Sequence, residues 1–138
     1  MQRMKGAGLL QLLAGLCVAL ILVSLALPAY REYVLRSRHG EVVAMLQQNA
    51  LFLEAHYQRH GSYKATPTRW PVLPYSQSGV AENVYRIDFG STPRNTDEGY
   101  FLLKASSTDG EWELSLTQTG VLKRCRKQGG RETCVIWQ

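Results

Sequence analysis

Residues Gly6 to Tyr30 read Gly-Ala-Gly-Leu-Leu-Gln-Leu-Leu-Ala-Gly-Leu-Cys-Val-Ala-Leu-Ile-Leu-Val-Ser-Leu-Ala-Leu-Pro-Ala-Tyr, 25 consecutive positions without a charge. Only Gln11 and Ser24 interrupt the apolar part, which ends at Leu27. As an α-helix, the 23 residues Ala7–Ala29 rise about 35 Å at roughly 1.5 Å each, enough to cross a bilayer core. Arg3 and Lys5 precede the run and favour a cytoplasmic N-terminus. Arg31, Arg36 and Arg38 follow it and weaken that bias.

Bulk composition hides this segment. The chain has 138 residues, is 45% hydrophobic and 20% charged, and carries a net charge of +5. Its mean hydropathy is −0.20. These values fit one domain and exclude a disordered acidic tail, a collagen-like repeat and a disulfide-dense mini-protein. All 11 acidic residues lie after Tyr30, so two compositions are joined end to end.

Three readings of the run compete. A cleaved secretory signal has an apolar core of roughly 7–15 residues. This core is longer, and Leu25-Ala26-Leu27-Pro28-Ala29 is a poor cleavage site. A plain single-span anchor is the second reading. The third starts from the details. The leader Met1-Gln2-Arg3-Met4-Lys5-Gly6 is short and basic, and Pro28 and Tyr30 close the run.

Those details resemble the type IV pilin family of Gram-negative bacteria. There a basic leader ends in Gly, and a dedicated peptidase cuts after it and methylates the new N-terminus. The resemblance implies cleavage between Gly6 and Ala7 and N-methylation of Ala7. The ending Leu25-Ala26-Leu27-Pro28-Ala29-Tyr30 matches the family's, and the cut puts Pro28 at mature position 22. Leu9 and Leu10 match a Leu-Ile pair. Ala7 stands where Phe is usual, and Gln11 where Glu is usual. That Glu meets the neighbouring subunit's N-terminal amine in family filaments, so Gln11 and Pro28 are the implied assembly contacts. Gln keeps hydrogen bonding but loses the charge, which fits a minor subunit entering filaments sparsely or at a tip.

Beyond the run, Arg31 to His60 reads as a helix. Leu35, Val42, Leu46, Ala50, Leu53 and Tyr57 fall on one face. Gly61 is a natural left-handed cap, and Pro28 and Gly40 are points where the helix would bend or loosen. Gly61 to Asn83, with Pro67, Pro71, Pro74 and Gly79, reads as a long loop carrying Tyr63, Trp70 and Tyr75. Strand-like runs follow at Val84–Phe89, Tyr100–Ser106, Glu111–Thr117, Val121–Cys125 and Cys134–Trp137. Thr108-Asp109-Gly110 and Thr119-Gly120 are hairpin turns. Leu102, Ala105, Leu114 and Leu116 are the expected inward positions.

The expected fold class is α+β, a long N-terminal transmembrane and amphipathic helix packed on a three- to four-stranded antiparallel sheet. This is the fold the resemblance implies, closed by a C-terminal disulfide. It divides the chain into a leader (1–6), a transmembrane half-helix (7–30), an amphipathic half-helix (31–60), a connecting αβ loop (61–83) and the sheet with its disulfide loop (84–138). The stretches Asn49-Ala50-Leu51-Phe52-Leu53-Glu54, Gly61-Ser62-Tyr63 and Thr68-Arg69-Trp70-Pro71 resemble minor pilins of Neisseria-type systems.

Three cysteines occur. Cys17 lies in the apolar run as a packing residue. Cys125 and Cys134 enclose eight residues centred on Gly129-Gly130. A Gly-Gly turn brings such cysteines opposite each other, and an oxidising compartment favours a disulfide. Two free thiols are the alternative. Zinc fits less well, because there is no second Cys pair and His39, His56 and His60 lie on the helix. His56 and His60 are four apart, a metal-binding spacing on a helix. Without a third ligand or an HExxH pattern the expectation is no metal, and no cofactor.

Charge is uneven. Arg31 to Gly120 nets −1, while Val121 to Gln138 nets +4 from Lys123, Arg124, Arg126, Lys127, Arg131 and Glu132. A loop with clustered cations beside Trp137 can meet DNA phosphates without reading sequence, and natural competence uses a minor pilin with a basic face. The alternatives are a solvated surface, acidic neighbours in the filament, membrane phosphate or a host anion. No catalytic constellation stands out, and Asp97-Glu98-Gly99 reads as a polar turn.

The resulting expectation is a non-enzymatic minor type IV pilin that modulates assembly, adhesion or DNA uptake. A DNA-binding competence pilin and a type II secretion pseudopilin are the alternatives. Its implied partners are other pilin subunits, the prepilin peptidase, an inner-membrane assembly platform, the membrane and DNA. Its implied location is the inner membrane with a periplasmic head, then the extracellular pilus.

Overall fold

The helix α1 spans Arg3–His60. A computed structural model describes residues 3–78, 85–90 and 98–137. Gly79 of the expected turn formers, Asn83 and Val84 at the expected loop–strand boundary, and Asp97 of the polar turn lie outside the described residues.

The chain forms two compact units, one ending at Ser37 and the other running from Arg38. In the first, the helix carries no charge from Gly8 to Tyr30, and Leu9 through Leu27 expose roughly half to three-quarters of their large side chains. The segment from Gly8 is long and apolar enough to cross a membrane. Pro28 lies inside the helix and deprives the Ser24 carbonyl of its usual N–H donor. The Ser24 hydroxyl donates back to the Ile21 carbonyl at 2.7 Å. The helical assignment continues through Pro28 and Gly40 alike.

In the second unit, His39, Val42, Leu46, Asn49 and Leu53 are buried. Their spacings of three and four make one helical stripe. Val42, Leu46 and Leu53 match the sequence reading. Asn49 takes the fully buried place expected for Ala50, which is only partly buried, and Tyr57 is exposed. The substitution is stable because the Asn49 carboxamide is satisfied by loop backbone, as described below. Gly61 ends the helix as expected. Its φ is +71°, and its N–H donates to the Tyr57 carbonyl at 2.7 Å, the left-handed cap for which glycine lacks a steric penalty.

Among the described residues the sheet is an antiparallel meander of six strands in sequence order. They are β1 Gln77–Ser78, β2 Tyr85–Phe89, β3 Leu102–Ser107, β4 Trp112–Thr117, β5 Leu122–Gln128 and β6 Arg131–Ile136. Even without the two-residue β1, this exceeds the expected three or four strands, because the polar β5–β6 hairpin pairs fully. Facing pairs place Ile87 beside Ala105, Leu103 beside Leu116, and Ala105 beside Leu114. Directly opposed residues share a face, so these side chains make the inward layer, with Tyr63, Leu73, Tyr85 and Phe101. Leu102 was expected inward. It lies one residue out of phase with Ala105 and pairs with Thr117 on the outer face, because strand periodicity is two.

The β3–β4 turn shows the local chemistry. Ser107 Oγ donates to Asp109 Oδ1, and the Glu111 N–H donates to that same oxygen at 2.9 Å. These two donors hold the Asp109 carboxyl below the usual carboxylate range, the Ser107 hydroxyl contributing most.

Candidate nucleic-acid interface

The basic residues lie on one hairpin, β5–β6. Its turn, Gln128-Gly129-Gly130-Arg131, places φ at +59° for Gly129 and +76° for Gly130. Positive φ at both central positions is the tight hairpin geometry that matches strand twist, and glycine adopts it without strain. The turn sets the register Cys125 opposite Cys134. Those two form a disulfide, with Cα atoms 4.0 Å apart. Cys125 is buried and Cys134 exposed, and Cys17 is a free thiol on the apolar helix.

Register also sorts the five cations. Arg124 lies between Leu114 and Val135, and Arg126 between Trp112 and Thr133. Both therefore belong to the inward-facing side of the sheet, at its margin. Arg131 opposes Gln128 on that side. Lys123 and Lys127 alternate to the outer side, with the disulfide and Glu132. The five do not converge on one surface. Every residue of β6 is exposed, so the hairpin is an open sheet edge accessible from both sides.

Carboxylates from β4 and its preceding turn hold two of the five. Arg126 meets Glu111 Oε1 at 2.6 Å. Glu113 Oε2 is shared by Lys104 at 2.9 Å and Lys127 at 3.3 Å. Ion pairs this close to solvent contribute little to stability, but these neutralise part of the hairpin's charge. Among the described residues, Lys123 and Arg131 have no ion-pair partner.

Arg124 has a different environment. Its guanidinium lies 5.5 Å from the Trp112 ring centre and 5.3 Å from that of Trp137. Arg126 also approaches Trp112, at 5.1 Å. Guanidinium over indole is favourable electrostatically. Behind them sits His39, fully buried on α1. It is edge-on to Trp112 at 4.8 Å and to Trp137 at 5.9 Å. Its Nε2 hydrogen-bonds the Tyr85 hydroxyl at 3.1 Å. Burial, then the nearby Asp109 charge, pushes the Tyr85 phenol up to about 12.

Sequence reasoning placed Trp137 beside the cations but missed His39, Trp112, Glu111 and Glu113. The signal for His39 was present, four residues after Leu35 and three before Val42. The two glutamates could be found only by pairing β4 with β5 in register.

His56 and His60 lie at the end of α1. Gly6 and Ala7 are helical, Gln11 is exposed on the first unit, and Pro28 lies inside the helix there.

A long helix whose N-terminal part is apolar and exposed, a helix-backed antiparallel meander and a disulfide-closed terminal hairpin define a pilin-like α+β subunit. Residues 28–126 match the family described as type IV minor pilin ComP, DNA uptake sequence receptor, and the chain belongs to that family. The match includes Cys125 and ends at Arg126, before Cys134 and Arg131. No curated protein matches the chain.

Proposed function

We propose that this minor pilin displays its head as a DNA receptor on a type IV pilus, using the β5–β6 edge. One observation carries the reading. Arg124 is held between two indoles at an open sheet edge, with Arg131 on its side of the hairpin and Lys123 on the other, both without an ion-pair partner among the described residues, in a chain of a family described as DNA uptake sequence receptors. Lys123 and Arg131 supply phosphate contacts. Arg124, braced on Trp112 and Trp137, adds a guanidinium whose fork suits phosphate oxygens. Arg126 and Lys127 contribute only by exchanging Glu111 and Glu113 for phosphate. Full chain in detergent should retard duplex DNA at low salt, and the retardation should fall steeply as salt rises. Absence of binding at low salt would remove the receptor reading.

The anchoring half of the proposal rests on the apolar helix. Cleavage falls between Gly6 and Ala7, Ala7 is methylated, and the peptidase and an assembly platform act at the inner membrane. The head faces the periplasm, where the Cys125–Cys134 disulfide persists. In the filament Gln11 offers a neutral hydrogen bond to a neighbouring amine. Mass spectrometry of membrane-extracted protein from cells with active prepilin peptidase should give a chain starting at methyl-Ala7. An intact Met1 there would contradict this half. The family match supports the pilus over the secretion machine.

A further inference from the structure

We propose that His56 and His60 form a two-imidazole site for a divalent transition-metal ion, independent of the DNA reading. The spacing of four puts both rings on one face of α1, where they stack with centroids 4.3 Å apart and planes at 26°. Spacing alone is common and carries little. The hydrogen bonds are more informative. His56 Nδ1 lies 3.0 Å from the Ser62 carbonyl oxygen, and His60 Nδ1 lies 3.0 Å from the His56 carbonyl oxygen.

A carbonyl oxygen only accepts, so Nδ1 carries the proton on both rings. In the neutral imidazoles both Nε2 atoms then keep their lone pairs, and among the described residues neither is used in a hydrogen bond. An N–H on one ring nitrogen bonded to a backbone carbonyl is the support that metal-ligating histidines use. It fixes the tautomer and the ring direction. Here the helix and its cap loop supply that support to both rings.

Two further features favour a cation. The pair sits in the last turn of α1, where the helix dipole places partial negative charge. His56 is half-buried, with the Phe52 ring centre 6.5 Å away, so part of its ordering cost is met before binding. Imidazole nitrogen suits Zn²⁺, Ni²⁺ and Cu²⁺, whereas Mg²⁺ and Ca²⁺ require oxygen ligands. A metal–nitrogen bond of roughly 2.0–2.1 Å asks the rings to tilt together at their Nε2 ends. Water, or a donor from another molecule, completes the coordination.

The test is calorimetric titration of NiCl2 and ZnCl2 into full chain in detergent without a polyhistidine tag. Cys17→Ser removes the free thiol, and the other cysteines are locked in their disulfide. One equivalent should bind, and MgCl2 should give no saturable heat. His60 is exposed, so His60→Ala keeps the fold and should weaken binding tenfold or more, on the order of what loss of a supporting contact alone costs. His56→Gln should do the same. No saturable binding by the parent chain, or unchanged affinity in His60→Ala, would overturn the site.

Discussion

The side chain of Asn49, in the middle of the helix, pairs with the backbone of Tyr75 as a strand would. Its Nδ2 donates to the Tyr75 carbonyl oxygen at 2.7 Å, and the Tyr75 N–H donates to its Oδ1 at 3.1 Å. Asn49 is fully buried. This pair of hydrogen bonds ties the connecting loop to the helix just before β1.

Replacing Asn49 should therefore cost more than its volume suggests. Asn49→Leu leaves the Tyr75 N–H and carbonyl without partners and should destabilise the head by about 1–3 kcal/mol. Asn49→Asp should be worse, because it cannot donate to the carbonyl and buries a charge. Denaturant unfolding of the full chain in detergent, followed by tryptophan fluorescence, checks the order wild type, Leu, Asp.

Strand phase is tested by two adjacent leucines. Leu103 is fully buried and faces the core, while Leu102 faces outward. Leu103→Ala should cost about 2–5 kcal/mol. Leu102→Ala should cost well under half of that. Equal losses in the same unfolding experiment would show the register to be wrong.

High pH should unfold the head through two tyrosines. Tyr63 donates its hydroxyl to Glu54 at 2.8 Å and accepts from Gln118 at 3.1 Å. Burial first, then the Glu54 bond, raises its phenol to about 12 from 10.0. Burial raises Tyr85 likewise to about 12. An unfolded tyrosine ionises near 10, so both stabilising contributions are complete below that pH. They are lost as pH rises from about 10 to about 12. Tyr63→Phe and Tyr85→Phe should each flatten the fall of stability with pH across that window. Lysine ionisation is common to all the variants and cancels in the comparison.

Removing the disulfide should weaken the hairpin without abolishing the sheet. The loop it closes spans a sequence separation of 9, so its contribution should lie somewhat under the ~3 kcal/mol of a 15-residue loop. Cys125→Ala with Cys134→Ala should lower the thermal midpoint by a corresponding amount. An unchanged midpoint would mean that the turn and the strand pairing hold the hairpin alone.

Much of this fold is legible in the sequence, and the reasons differ by element. The uncharged run of 25 residues declares the N-terminal helix, because an apolar stretch of that length matches a membrane-crossing helix. Gly61, Gly110, Gly120 and the Gly129-Gly130 pair mark the helix end and the hairpin turns at the positions where φ is positive. What escaped was pairwise. Hydrophobicity alone does not fix strand phase, which is why Leu102 reads as an inward position in the sequence. His39 and Asn49 do not read as core residues in the sequence, because polar residues are buried only where partners from distant segments satisfy them. The basic segment read as one patch because charge was counted along the chain. Alternation about the strand axis, and the glutamates of the neighbouring strand, are visible only once β4 and β5 are aligned.

The proposed DNA interface is tested most directly by measuring duplex affinity against salt for three full-length proteins in detergent. One is wild type, one carries Lys123→Gln, Arg124→Gln and Arg131→Gln, and one carries Arg126→Gln and Lys127→Gln. Each lost phosphate contact should reduce the slope of log affinity against log salt by about 0.9. The predicted result is a large loss of affinity and a shallower slope for the first variant. The second should change less, because its cations are already engaged by Glu111 and Glu113. Wild-type affinity and slope in the first variant would contradict the assignment of DNA binding to this hairpin.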